Sequence, residues 1–331
     1  MTVAGVRSPA PLGLVLLASS AGLCLAGIAV GSLGWEPMWG GAGDASAAIL
    51  WDIRLPRTLG AWLAGALLGL AGAVAQGLFR NPLADPYLLG SATGAAFGVA
   101  VLLVLIGVSP VAASGWGAHL GLTGAAFLGA VLAVMVTLGL ARGVQQTLRL
   151  LLSGVVVGMV FGAFSALVMF WQPEVMRSMQ AFLLGTTGFL GWASVWLLAA
   201  VFAATTGVAV ALSRALDALS LGETTAVSLG VALGPVRVVL VAVIALATGA
   251  AVAQVGLIAF IGLVAPHLVR AAVKPTHRWL LPLSALAGGV LLLAADVLAR
   301  WLLAPRELPV GVLTAVLGGG YLLWLMHRRP L

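Results

Sequence analysis

Charge is scarce in this chain: only 8% of its 331 residues are Asp, Glu, Lys or Arg, against roughly 25% in an ordinary soluble domain. Beside 62% hydrophobic residues, that deficit excludes a soluble globular fold, because the chain cannot hide so much apolar surface from water by folding on itself. Cysteine is almost missing too. Cys24 stands alone, which excludes a disulfide within the chain, and the Leu directly before it makes a poor lipoprotein site, so it reads as a buried membrane cysteine. No glycine-rich loop closes on Gly-Lys-Ser or Gly-Lys-Thr, so the chain does not itself bind and hydrolyse ATP through a P-loop. The four histidines, His119, His267, His277 and His327, lie far apart without a His-Glu-x-x-His pair, which argues against a metal or protease site. Acids in mid-membrane, which ion-coupled carriers generally need, reduce to Asp296. Arg300, four residues on, explains that acid as an i,i+4 ion pair. A secondary carrier or channel without an ATPase is thereby the alternative reading, and an intramembrane enzyme falls behind it.

What the sequence does hold is a series of apolar runs of about twenty residues, the length that crosses a bilayer. Breaks at charges, prolines and polar clusters give ten: 12–33, 57–78, 88–108, 121–141, 150–171, 192–213, 238–256, 259–273, 280–299 and 309–326. The runs are continuous and do not alternate, so the spans are helices and the fold class is all-α and polytopic. The eighth is short and interrupted by Pro266. The first is too long for a signal-peptide core and is expected to be retained. With a cytoplasmic N-terminus, eleven of the sixteen Lys and Arg fall inside and five outside, namely Arg54, Arg57, Arg177, Arg300 and Arg306. The net charge of +7 is therefore a positive-inside pattern and not a nucleic-acid footprint; both termini are expected in the cytoplasm.

The stretch from Arg54 to Gly94 organises the rest: two arginines around Leu-Pro, an apolar span, then a Pro-bracketed polar turn. Small residues recur at four-residue spacing in Gly65/Gly69 and Gly158/Gly162, which permits close helix approach, within one subunit or at a dimer seam. Leu55-Pro56 is echoed by Leu308-Pro309, as two five-span halves would give. The longest inward polar segment, 214–237, repeats Ser-Leu-Gly at Ser220 and Ser228. It reads as two short amphipathic helices joined at a glycine turn, suited either to dock in a groove of a cytosolic partner or to pack on the surface.

Several segments together resemble the FecCD-type permeases, the membrane subunits of ABC importers for ferric siderophores, haem and cobalamin. They are Arg54-Leu-Pro-Arg57, Ala64-Gly-Ala, Gln76, Arg80-Asn-Pro-Leu-Ala84 with Pro86 and Leu89-Gly90, Ser153-Gly154 and Leu184-Gly185. Further on come Leu221-Gly222, Ala226, Leu229-Gly230, Phe260-Ile-Gly-Leu-Val264, Pro266-His267, Arg270, Asp296 with Arg300, and Glu307-Leu-Pro-Val-Gly311 with Thr314-Ala315. The matches run in order over nearly the whole chain. One departure is Gly318-Gly-Gly320-Tyr321, where many relatives have Gly-x-Pro-Phe; three glycines permit a looser final span than a proline-set bend.

The resemblance implies a type II ABC importer permease fold, one domain over 1–331 with coupling helices inside 214–237. It implies a second permease copy in a homodimer, or a related permease in a pseudo-dimer, with two cytosolic ATPases that bind the ATP and Mg, a periplasmic binding protein, and a place in the bacterial inner membrane. The chain itself would carry no cofactor or metal, and no covalent chemistry. In similar permeases the residues at Arg54, Arg57 and Arg300 receive acids of the binding protein; local pairing, Arg54 with Asp52 and Arg300 with Asp296, is the competing account. Asn81 and Leu83, with Thr147 and Leu148 beside Gln145-Gln146, would narrow the cytoplasmic end of the pathway. Leu219, Ser220, Leu221, Gly222, Ala226, Leu229 and Gly230 would grip the ATPase. Met159, Phe161, Ser165 and Met169 on the fifth span are candidate pathway lining, or packing. A ferric siderophore is the expected cargo on breadth of the family, then cobalamin, then haem.

Overall fold

A backbone denied water must bond within its own segment, and helices form where the apolar runs predict them. The computed structural model describes residues 8–31, 34–35, 44–106, 116–141 and 147–328. Arg7, Arg142, Gln145, Gln146 and Arg329 lie outside them, as do the side chains of His119 and Thr147. The helices are α1 (Pro9–Ala29), α2 (Asp44–Ile49), α3 (Leu55–Leu78), α4 (Ser91–Ile106), α5 (Trp116–Leu140), α6 (Thr147–Trp171) and α7 (Pro173–Leu184). They continue with α8 (Trp192–Ala211), α9 (Ser213–Ser220), α10 (Glu223–Ser228), α11 (Leu233–Val255), α12 (Ile261–Ala272), α13 (His277–Trp301) and α14 (Val310–Arg328). Among the described residues, seven helices are long and apolar enough to cross a membrane, and three shorter apolar ones, α4, α12 and α14, complete ten. Two-residue strands β1 (Val30–Gly31) and β2 (Gly34–Trp35) form a small antiparallel pair after α1. The sequence did not announce α7, whose Pro173 opens it and whose end is Gly185, at φ 71.

At the centre stands α3, packed by α13, α11, α12, α8 and α1. Its small residues make that crowding feasible. A Cβ on Gly65 would run into the Gly288 carbonyl of α13, one on Gly69 into that of Ser284, and one on Gly72 into that of Gly262 in α12. The first small-residue pair is therefore an internal seam. In the second, Gly158 lies near Thr93 and Gly90, and Gly162 meets nothing within 4 Å.

The eighth run differs from a full span. Helix α12 has 12 residues, about 18 Å at 1.5 Å each, too short alone for a hydrocarbon core of roughly 30 Å. The non-helical residues 256–260 precede it, and their polar groups find partners inside the protein. Leu257 N donates to Phe182 O at 3.0 Å, and the Tyr87 hydroxyl donates to Ile258 O at 3.1 Å. Gly256, at φ 70, lies so close to the Phe182 carbonyl that a Cβ there would collide with it.

The last span is one continuous helix, not a loosened one. Phe260, at φ 68, seats its side chain where a Cβ on Gly318 would be. That glycine is a socket for a ring.

Candidate functional site

Chemistry concentrates at the two ends of α3. At its first turn, Arg57 donates from Nε and Nη2 to Asp296 Oδ1 at 3.2 and 3.0 Å, and from Nη1 to Glu307 Oε1 at 3.0 Å. Arg300, 2% exposed, donates from Nη2 to Asp296 Oδ2 at 2.7 Å and from Nη1 to the carbonyls of Gly27 and Val30, both at 2.8 Å. The Thr187 hydroxyl also donates to Asp296 Oδ1. Asp296, 0% exposed, thus ties α3, α13 and the α7–α8 link together, and through Arg300 the end of α1. A charge this buried persists only where its lone pairs are met in this way.

Of the three arginines expected to meet the binding protein, two therefore share one acid. Arg54, partly exposed, donates to Ile28 O at 3.2 Å. Arg57 is covered by Glu307, the more exposed of its two acids. Arg300 points inward to main-chain carbonyls. The i,i+4 pair of Asp296 and Arg300 read from the sequence is present; the second arginine on Asp296, 239 residues away, had no local signal.

At the other end of α3 the chain turns through Phe79 to Asp85. Asn81 accepts the N–H of Leu83 on its Oδ1 at 2.9 Å, closing a local turn that leaves both side chains exposed. Burial raises the Asp85 carboxyl above its ordinary range, opposed by the Tyr87 N–H it accepts at 2.8 Å. Leu148, in the first turn of α6, is exposed.

Beyond α8, helices α9 and α10 form the pair that the Ser-Leu-Gly repeat predicts. Its residues divide by role. Leu219, 1% exposed, packs with Ala218 and Ala226 in a small core that Val231 and Leu233 complete. Leu221 and Leu229, 67% and 63% exposed, point away from it, joined by Val227, which the sequence did not single out. Gly222 and Gly230, at φ 119 and 82, make the turns after each helix, a backbone region that other residues enter at a cost. Ser220 donates from Oγ to Asp217 O at 2.6 Å. The result is a folded hook with an apolar outer face.

On α6 the candidate lining separates by helical spacing. Phe161 and Ser165 are buried, Phe161 edge-on to Phe97 at 5.4 Å and Ser165 bonded to Phe161 O at 2.8 Å. Met169, four residues further on, is partly buried in a separate cluster with Val99, Leu103 and Met179. Met159, two residues before Phe161, faces outward with Leu152 and Val156. Positions i and i+2 cannot share a helix face.

Comparisons with known proteins agree along the chain. The haemin transport system permease HmuU of Yersinia pestis is 39% identical over 301 residues, 90% of this chain and 89% of that protein. The vitamin B12 import system permease BtuC of Salmonella paratyphi A is 41% identical over 320 residues, 95% and 93% of the two chains. A solved metal-chelate type ABC transporter, in an inward-facing conformation, superposes with a TM-score of 0.82 at 26% identity, over 97% of this chain and 100% of its own. PsaBC of Streptococcus pneumoniae, at 15% identity and a TM-score of 0.55 over 82% of this chain and 91% of its own, shares the fold alone. The sequence model of the FecCD transport family matches residues 14–328. This chain belongs to the FecCD transport family.

Proposed function

We propose that the chain is the membrane permease of an ABC importer that carries a metal chelate into the cytoplasm, working with separate ATPase subunits and a binding protein. The observation that carries this reading is the α9–α10 hook: a helix pair with its own core presents Leu221, Val227 and Leu229 to solvent. An exposed apolar face on a rigid unit is a partner surface. ATP binding and hydrolysis take place on the partner that this face meets, and the permease answers by changing which side its pathway opens to. Asn81, Leu83, Thr147 and Leu148 stand at the same end and narrow that pathway.

At the opposite end, Arg54 and Arg57 receive acids of the binding protein, where charge complementarity sets orientation and on-rate. Arg300 holds that platform together from within. The outward face of α6, with Met159 and Gly162, meets a second copy of the chain across the pathway, while Phe161, Ser165 and Met169 pack behind it. Names of the relatives favour haem or cobalamin over the ferric siderophore that the breadth of the family suggests.

The test is co-purification and reconstituted uptake. Tagged permease is expected to bring down its ATPase subunits, and Leu221→Asp with Leu229→Asp to lose them. Uptake of cyanocobalamin or haemin that proceeds without ATP would sink the reading.

A further inference from the structure

Two acids fasten the α9–α10 hook to the bundle, and they reach different spans. In α9, Asp217 Oδ1 accepts the main-chain N–H of His277 at 2.9 Å and meets its ring Nδ1 at 2.7 Å. Thr276, the residue before α13, makes no side-chain cap, so a carboxylate from another helix closes the N-terminus of α13, where unmet N–H groups favour negative charge. The ring of His277 fits only because Gly77 of α3 lacks a side chain: a Cβ there would lie 2.8 Å from Nε2 and 3.1 Å from Leu216. In α10, the first residue, Glu223, forms an ion pair with the buried Arg237 of α11. Separating a buried arginine from its acid is costly.

Helix α13 has a further property. Its first residue is bonded to the hook, and its last turns carry Asp296 and Arg300, the centre of the cluster at the far end. Nothing breaks the helix between these points, although it contains Pro282; the 24 residues from His277 to Arg300 span about 35 Å. Both α13 and α11 pack along α3.

We infer that Asp217 and Glu223 are positioning residues for transport. Asp217 passes a displacement of the hook to α13, which reaches the opposite cluster as one rod, and Glu223 passes it to α11. This rests on the reading of α9–α10 as the ATPase-binding pair. Neither acid belongs to the exposed Leu221–Val227–Leu229 face, so gripping the partner and transmitting its motion are separable.

The experiment uses the whole complex in liposomes, with cyanocobalamin or haemin and its binding protein as cargo. Asp217→Asn and Glu223→Gln should retain the ATPase subunits at wild-type stoichiometry. The cargo moved per ATP hydrolysed should fall about fivefold or more, the lower range of coupling between sites. Asp217→Glu, which keeps the carboxylate, should recover most of that ratio, as loss of a merely structural contact would not predict. Should Asp217→Asn fail to fold, Glu223→Gln carries the test. An unchanged ratio overturns the inference, and so does loss of the ATPase subunits from either variant, because the acids would then belong to the grip. If instead Leu221→Asp and Leu229→Asp keep the ATPase, the reading of the hook itself fails.

Discussion

Arg57 and Asp296 are 239 positions apart in the chain and meet at 3.0 Å, on the first turn of α3 and the last turns of α13. Asp296 is bonded to Arg300 at the same time, so one carboxylate balances two guanidinium groups where water does not reach. Removing the acid leaves the buried Arg300 without a carboxylate and Arg57 with Glu307 alone, whereas removing Glu307, 34% exposed, leaves Arg57 with its deeper partner. Asp296→Asn should therefore cost about 3–5 kcal/mol, the range for breaking a buried pair, and Glu307→Gln no more than about 1 kcal/mol. Thermal unfolding of the two variants in detergent measures the difference; equal losses would refute the ranking.

The same geometry separates Arg54, Arg57 and Arg300 in a docking assay. Arg54→Glu should weaken binding-protein affinity at low salt, with a loss that shrinks as salt is raised, and Arg57→Glu should do the same while also lowering stability, because it sets a third acid beside Asp296 and Glu307. Arg300→Glu should instead lower stability, because its guanidinium serves Gly27, Val30 and Asp296 from inside. A folded Arg300→Glu variant with a selective affinity defect would contradict this division.

The two small-residue pairs make a matched comparison. Gly69→Ala places a methyl on the Ser284 carbonyl, between backbones that cannot yield, while Gly162→Ala enters open space in the monomer. Overpacking should cost about 1–3 kcal/mol at Gly69 and leave the isolated chain unaffected at Gly162. Thermal unfolding checks the first. For the second, cross-linked dimer yield should fall if the face of α6 meets another copy.

How much of this was legible before the structure follows from which signals are local. Ten spans appear because twenty apolar residues in succession are a local property, and the hook appears because Ser220 and Ser228 repeat within it. The Asp296–Arg300 pair is visible at i,i+4 spacing, but Arg57 on the same carboxylate is set by tertiary packing of α3 on α13. The lining candidates on α6 mixed two faces because Met159 and Phe161 were weighed by residue type and not by angle. Val227 was passed over because it lies outside the Ser-Leu-Gly repeat. Asp217 and Glu223 carry no sequence signal of their own; only the approach of His277 and Arg237 from other spans marks them.

Gly318 and Phe260 give the most decisive packing test, since the sequence reading of a loosened last span and the observed socket predict opposite results. If the glycine were there for flexibility, Gly318→Ala would stiffen the helix and stabilise it, by up to about 1 kcal/mol from propensity alone. In the structure a Cβ at Gly318 collides with the Phe260 side chain, and Phe260 is held by its left-handed backbone and by the turn it makes into α12, where Val264 N donates to Phe260 O at 2.8 Å. Gly318→Ala should therefore destabilise by about 1–3 kcal/mol. Phe260→Gly should cost more on its own, because it vacates the socket, Cβ included. In the double variant with Phe260→Gly the new methyl meets neither the Cβ nor the ring of Phe260, so the Gly318→Ala penalty should largely vanish, an interaction energy that thermal or denaturant unfolding of all four proteins reads directly. Strict additivity of the two changes would show that the glycine and the ring do not share that space.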